Sequence, residues 1–173
     1  MRGKSVREPG MNQEETITDM KTVLLVTLII TTFLKTHLSA QTTTPSAEDF
    51  LYAIREVETG NCYDAPTGSC GEEGAYQFKK SVWAQHTNVS FHEVHTHYSD
   101  TVALAHYHWI IKRLKHAHIT PSISKIAAAW NCGVTAVIRG KIPHSTKDYA
   151  ERVSNLALDH AKNRMLETYA DNR

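Results

Sequence analysis

The chain has 173 residues, of which 19 are Lys or Arg and 18 are Asp or Glu. That length suits one domain. So even a balance of charge gives no sign of the basic patch that electrostatic binding of nucleic acid calls for.

The first element is a leader. Val23 to Leu34 (VLLVTLIITTFL) is a 12-residue apolar run behind Lys21, with small residues at Ser39 and Ala40. This is a signal-peptide pattern, and the run is too short to span a bilayer. Met20 stands directly before Lys21, so the expectation is that translation starts there and that residues 1–19 are an over-extended reading. Residues 1–40 are assigned to the signal peptide and 41–173 to one domain, with an uncleaved anchor as the alternative. The protein is then exported, periplasmic or secreted, and meets the membrane only through this segment. Residues 41–173 carry 14 basic and 14 acidic side chains, a balance that favours a local remodelling role over attack on an anionic surface.

Behind the polar Thr42-Thr43-Thr44-Pro45, Ser46 with Asp49 forms a capping box that starts a helix running to Glu58. Ala47, Leu51, Ile54 and Glu58 share one face of it, because steps of three and four residues return to the same side. Cys62 to Gly74 holds three glycines and a proline and reads as an ordered loop with at most a short hairpin. A second helix is expected over Gln77–His86, with Phe78, Val82 and Trp83 inward. A third runs from Asp100 to His118, capped by Asp100 or Ser99, with Leu104, Tyr107, Ile111 and Leu114 at helical spacing. Pro121 and Ser122 open a fourth through Ile123, Ile126, Ala127 and Trp130, which Gly133 stops. Ser145 with Asp148 caps a fifth, placing Tyr149, Val153, Leu156 and Ala157 inward. The fold class is therefore mainly α, with irregular loops.

Glu58 is the residue of chemical interest. A carboxylate closing the apolar stripe of a helix points toward an interior or cleft, where desolvation raises its pKa. An acid kept protonated near neutral pH is what general-acid cleavage of a glycosidic bond needs. The bland alternative is that the helix ends here and Glu58 turns into solvent.

Four motifs follow in order: Glu58-Thr59-Gly60, Gly74-Ala75-Tyr76-Gln77, Ala129-Trp130-Asn131-Cys132-Gly133, and Pro143-His144-Ser145-Thr146-Lys147-Asp148-Tyr149. This order resembles the soluble lytic transglycosylases of the lysozyme-like superfamily, whose motifs read Glu-Ser-Gly, Gly-Leu-Met-Gln, Ala-Tyr-Asn-Ala-Gly and Pro-x-x-Thr-x-x-Tyr. The resemblance spans roughly residues 50–153 and implies a lysozyme-like helical domain. It further implies cleavage of peptidoglycan between N-acetylmuramic acid and N-acetylglucosamine, leaving 1,6-anhydromuramoyl ends. Glu58 would act first as acid and then as base, with no cofactor, on glycan strands as the partner. By the same resemblance Gln77 and Asn131 line the saccharide cleft and Tyr149 stands near the acid, while Tyr76 and Trp130 are candidates for stacking on sugar rings. Thr59 for serine, Tyr76 in the second motif and Trp130 for tyrosine depart from the family pattern and leave the subsites open.

Two other functions remain in view. A hydrolytic lysozyme needs a second carboxylate, for which Asp64, Glu72 and Glu73 are available, although all three also read as solvated charges on a turn. A non-catalytic saccharide-binding module would keep the cleft without turnover. Export makes a Cys62–Cys70 disulfide chemically reasonable, stabilising by roughly 2–3 kcal/mol in the chain-entropy model. Cys132 is left over, and three cysteines do not by themselves fix a pairing. His92, His95 and His97, with His106 and His108, tempt a metal reading. Residues two apart on a helix do not share a face, and no acid or cysteine completes a zinc pattern. No metal site is therefore assigned, and these histidines are expected on a solvated surface. Asn88-Val89-Ser90 is a glycosylation sequon, relevant only in a eukaryotic source.

Overall fold

A computed structural model describes residues 44–171, and the leader expected over 1–40 lies outside them. The described chain is mainly α-helical, as its periodicity predicts. Its helices are α1 (Ala47–Thr59), α2 (Lys80–Trp83), α3 (Tyr98–His116), α4 (Ile123–Cys132), α5 (Val134–Ile138) and α6 (His144–Asp171), with a 3-10 helix at Phe91–His95. An isolated bridge between Glu73 and Phe78 is the only β pairing among the described residues. None of these helices is long and apolar enough to cross a membrane.

The capping box of α1 forms as expected. Ser46 Oγ accepts the Asp49 N–H at 3.2 Å, and Asp49 Oδ2 accepts the Ser46 N–H at 2.7 Å. Gly60, at φ 63°, ends the helix in the left-handed region that glycine enters freely. Phe50, Ala53 and Ile54 are fully buried, so α1 lies across the core and packs on α6, which also packs on α4. Asp49 has a second role. Its side chain is completely buried and takes Arg164 Nη2 at 2.8 Å and His160 Nδ1 at 2.8 Å, both from α6. Tyr52 stacks on His160 with ring centroids 4.1 Å apart. This cluster pins the first turn of α1 to the later turns of α6.

The second helix is much shorter than the expected Gln77–His86. Gly74 (φ 72°) and Gln77 (φ 47°) both sit in the left-handed region, turning the chain back so that Phe78 can pair with Glu73. A helix cannot propagate from such a turn. A side chain at Gly74 would bring its Cβ within 2.3 Å of the Val94 carbonyl oxygen, so this close approach also requires glycine.

The third helix is placed within two residues, but its cap and its face differ from expectation. His97 occupies the cap position without a side-chain bond, and Ser99 Oγ donates to the Thr96 carbonyl. Asp100 is taken by Arg55, Tyr63 and Tyr76 instead. The buried face is Val102, Ala103, His106, Tyr107, Ile110 and Leu114, and Leu104 is 40% exposed. The apolar reading missed this rotation because a histidine is part of the buried stripe. Ser122 caps α4 and Gly133 ends it, as expected, but the chain re-enters a helix at Val134 to bury Val134 and Val137. The Ser145–Asp148 box does not form. Helix α6 opens two residues before that box would start it, at His144, and the His144 ring pairs with Asp148 at 3.1 Å. Tyr149, Val153 and Ala157 are buried as expected, and Leu156 is half-buried.

Burial on its own would raise the Asp49 pKa, but hydrogen bonds from Arg164, Ser46 and His160 together hold it far below the usual carboxylate range. A depressed folded pKa means that the contribution is complete above about pH 4 and is lost as pH falls toward the folded value. Since Arg164 is 44% exposed, Asp49→Asn should cost about 2 kcal/mol, below the range for a fully buried pair. Thermal melts between pH 5 and pH 2 should show a shallower acid-side decline in the variant than in the parent.

Candidate active site

Glu58 sits in the last turn of α1, one turn beyond the buried Ile54, and its side chain is half-buried. It does not turn out into solvent. The Tyr149 hydroxyl, on a side chain only 5% exposed, donates to Glu58 Oε1 at 2.6 Å. Burial is the largest influence on the carboxyl and raises its pKa. The Tyr149 hydrogen bond pulls it back, the Glu72 charge raises it further, and Arg152 lowers it. The net direction is upward, toward the neutral acid. The Tyr149 phenol is itself held well above its usual value by burial and by the Glu58 carboxylate.

A cleft of about 530 Å³ opens beside Glu58, with Gln77, Trp130 and Asn131 in its walls. Four of the six residues expected to act together thus line one cavity, and Tyr149 backs it through Glu58. Each is placed by a local device. The left-handed turn ending at Gln77 lets its amide Nε2 donate to the Gly74 carbonyl at 3.1 Å. Trp130 is held edge-on by Phe50 and His106, with ring centroids at 6.1 and 4.8 Å. Asn131 Oδ1 accepts from the buried Thr146 hydroxyl at 2.7 Å, which leaves the amide NH2 as the donor available to a ligand. Thr59 Oγ1 donates to the Arg55 and Ala75 carbonyls, so the threonine beside Glu58 ties the helix end to the second motif.

Tyr76 does not belong to the cleft. It is fully buried, and its hydroxyl donates to Asp100 and accepts from Arg55, each at 2.6 Å. It props α1 against α3 rather than facing a sugar. The expected Cys62–Cys70 disulfide is likewise not formed, as both thiols are free and exposed. The Cys62 N–H is anchored to Thr59 Oγ1 and the Cys70 N–H to Glu72 Oε2, so each end of the loop is held by a different polar partner.

The three spare carboxylates separate. The Asp64 side chain is 99% exposed, and Glu73 pairs with His95 at 3.1 Å. Glu72 lines the cleft with Glu58. The Cys70 backbone N–H is the foremost group holding its pKa below the usual carboxylate value, and Lys79 adds to this. The cleft therefore joins one carboxyl biased toward the acid form to one biased toward the anion.

Three contributors escape the sequence reading. Thr146 lies inside the fourth motif, and its position between Pro143 and Tyr149 was the available signal. Gly68 packs so closely that a Cβ there would lie 2.6 Å from Gln77 Oε1 and 2.7 Å from Glu72 Oε2. His106 is 8% exposed rather than solvated. It stacks on Trp109 with centroids 5.5 Å apart and bonds His86 at 2.9 Å. Burial, then the neighbouring His86, push its imidazole down to about 4, so it lines the cleft as a neutral ring. Among the described residues no three His, Cys, Asp or Glu side chains are grouped to hold a metal ion.

No protein-family model, curated protein or solved structure matches the chain.

The electrostatics make a signed prediction. Glu72→Gln removes a like charge and should lower the Glu58 pKa, whereas Tyr149→Phe removes a donor to the carboxylate and should raise it. Carbon-13 NMR titration of the Glu58 carboxyl in the parent and both variants reads each shift directly.

Proposed function

We propose that this cleft cuts the β-1,4 bond between N-acetylmuramic acid and N-acetylglucosamine in peptidoglycan by lytic transglycosylation, with Glu58 as acid and base in turn. The observation that carries the proposal is the half-buried Glu58, raised in pKa and oriented by Tyr149, at the wall of a cleft that also presents an indole and two amides. Tyr149 occupies Oε1, so Oε2 is the oxygen available to the scissile bond. The protonated carboxyl donates its proton to the glycosidic oxygen, and the bond to the anomeric carbon breaks. The muramoyl C6 hydroxyl then attacks that carbon, and Glu58, now a carboxylate, takes the hydroxyl proton and returns to its starting state. Trp130 offers a face for a sugar ring, while Gln77 and Asn131 offer amides to hydroxyl and N-acetyl groups. Tyr149 is a positioning residue. The apolar run Val23–Leu34 supports an exported protein.

One observation favours a second reading. Glu72, biased toward its anion and in the same cleft, is a candidate base for a water molecule, which would make the enzyme a hydrolase.

Purified protein incubated with peptidoglycan should release anhydro-ended muropeptides, identified by mass spectrometry as one water lighter than reducing-ended ones. Glu58→Gln should reduce release by about 10²–10⁴-fold, and Glu72→Gln should leave most of it. Reducing-ended products lost in Glu72→Gln would establish the hydrolase. Wall binding without release by the folded parent protein would leave a binding module.

A further inference from the structure

The balanced composition conceals a strong segregation of charge. Between Thr101 and Lys147 the chain holds seven Lys or Arg and no Asp or Glu, whereas residues 44–100 hold nine acidic and three basic side chains. The seven cations are Lys112, Arg113, Lys115, Lys125, Arg139, Lys141 and Lys147, and all are exposed. None lies within salt-bridge distance of a carboxylate among the described residues. Helices α3, α4 and α5, which carry or adjoin them, pack on one another. Unpaired like charge gathered on packed helices costs free energy unless something offsets it. Favourable interaction with a helix C-terminus accounts for Arg113, Lys115 and His116 at the end of α3. It does not account for Lys147 near the start of α6, and Lys125 near the start of α4 is held instead by the Thr120 carbonyl, to which its ammonium donates at 3.0 Å.

Two of these cations line an open concavity of about 640 Å³ along α3 and the turn after it, with His108, Ile111, Lys112, Lys115, His116 and His118 in its walls. No carboxylate lines it. Lys112 and Lys115 are three residues apart and so share a face of α3, with Cβ atoms about 5–6 Å apart. His118 joins them because its backbone is left-handed, at φ 58°, and its N–H closes onto the Lys115 carbonyl at 2.9 Å. That conformation is uncommon for a non-glycine residue, and the turn it makes leaves His118 in the wall of the same concavity as Lys112 and Lys115.

We infer that this cationic concavity binds a phosphodiester-linked anionic polymer of the cell wall, holding the enzyme where its glycan substrate is found. The choice of a cell-wall polymer rests on the peptidoglycan reading given above. The charges themselves point to a polymer, since cations spread over three helices exceed the reach of one small anion. Lysine and histidine N–H groups suit phosphate oxygens. No Phe, Tyr or Trp, the broadest platforms for a nucleobase, lines the concavity.

The test uses the full chain carrying Glu58→Gln, so that walls stay intact, with and without Lys112→Gln and Lys115→Gln. Cosedimentation is measured on purified walls that bear a phosphodiester polymer and on the same walls after hydrofluoric acid has removed it. The parent should bind the polymer-bearing walls about ten-fold more tightly, with a steep salt dependence, and the double substitution should bring that ratio toward one. Because both lysines are exposed and only Lys115 favours the helix C-terminus, the thermal midpoint should fall by no more than about 4 °C. Equal binding to both wall preparations overturns the inference, as does a ratio that survives the double substitution. Tighter binding to duplex DNA of equal charge would reassign the surface to nucleic acid. Cleavage is read separately, with Glu58 intact, on glycan free of the polymer, where Lys112→Gln with Lys115→Gln should act at the parent rate. An inactive parent there overturns the peptidoglycan reading while the binding ratio still decides this one.

Discussion

The hydrogen bond from Tyr149 to Glu58 spans 91 positions of sequence at 2.6 Å, and the character of the site depends on it. Burial makes the carboxyl an acid, but burial without a partner would leave its orientation free and its cost uncompensated. One phenol supplies the partner, occupies one oxygen and leaves the other for chemistry. The bond in turn requires α1 and α6 to hold their register. At the far end of α1 the buried Asp49 does this through His160 and Arg164, and between the two ends Phe50, Ile54, Val153 and Ala157 are fully buried. The acid therefore stands at one end of a packed helix pair whose other end is fastened by charge.

A second set of contacts surrounds that pair. Arg55, one turn before Glu58 and Thr59, reaches Tyr76 and Asp100, while Thr59 holds the Ala75 carbonyl. Those bonds fix the segment that carries Gln77 into the cleft. On the opposite side Thr146 fixes Asn131 and the neutral His106 fixes Trp130. Most of the groups facing a ligand are thus held by a neighbour that does not face it, which is what a preorganised site requires.

Much of this was legible in the sequence where a local rule applied. The stripe ending at Glu58, the capping box at Ser46 and the glycine stop at Gly133 all follow from helix geometry within a few residues. Tyr149 followed from the fourth motif and from inward spacing. The failures share a different cause. Asp49 reads only as the capping-box partner of Ser46 because its other partners come 111 and 115 residues later. Tyr76 reads as a sugar platform because its partners Arg55 and Asp100 lie 21 and 24 residues away. The helix expected from Gln77 is cancelled by a left-handed backbone at that residue, which no side-chain pattern announces. His106 escaped because a buried histidine satisfied by another histidine breaks the apolar stripe by which α3 was read.

The central claim is that the attacking oxygen at the anomeric carbon belongs to the sugar and not to water. Running the reaction in water enriched in oxygen-18 tests this most directly. The account predicts anhydromuramoyl products with no heavy oxygen incorporated. Muramoyl ends carrying one oxygen-18 atom, formed during cleavage, would contradict it and make Glu58 the acid of a hydrolase.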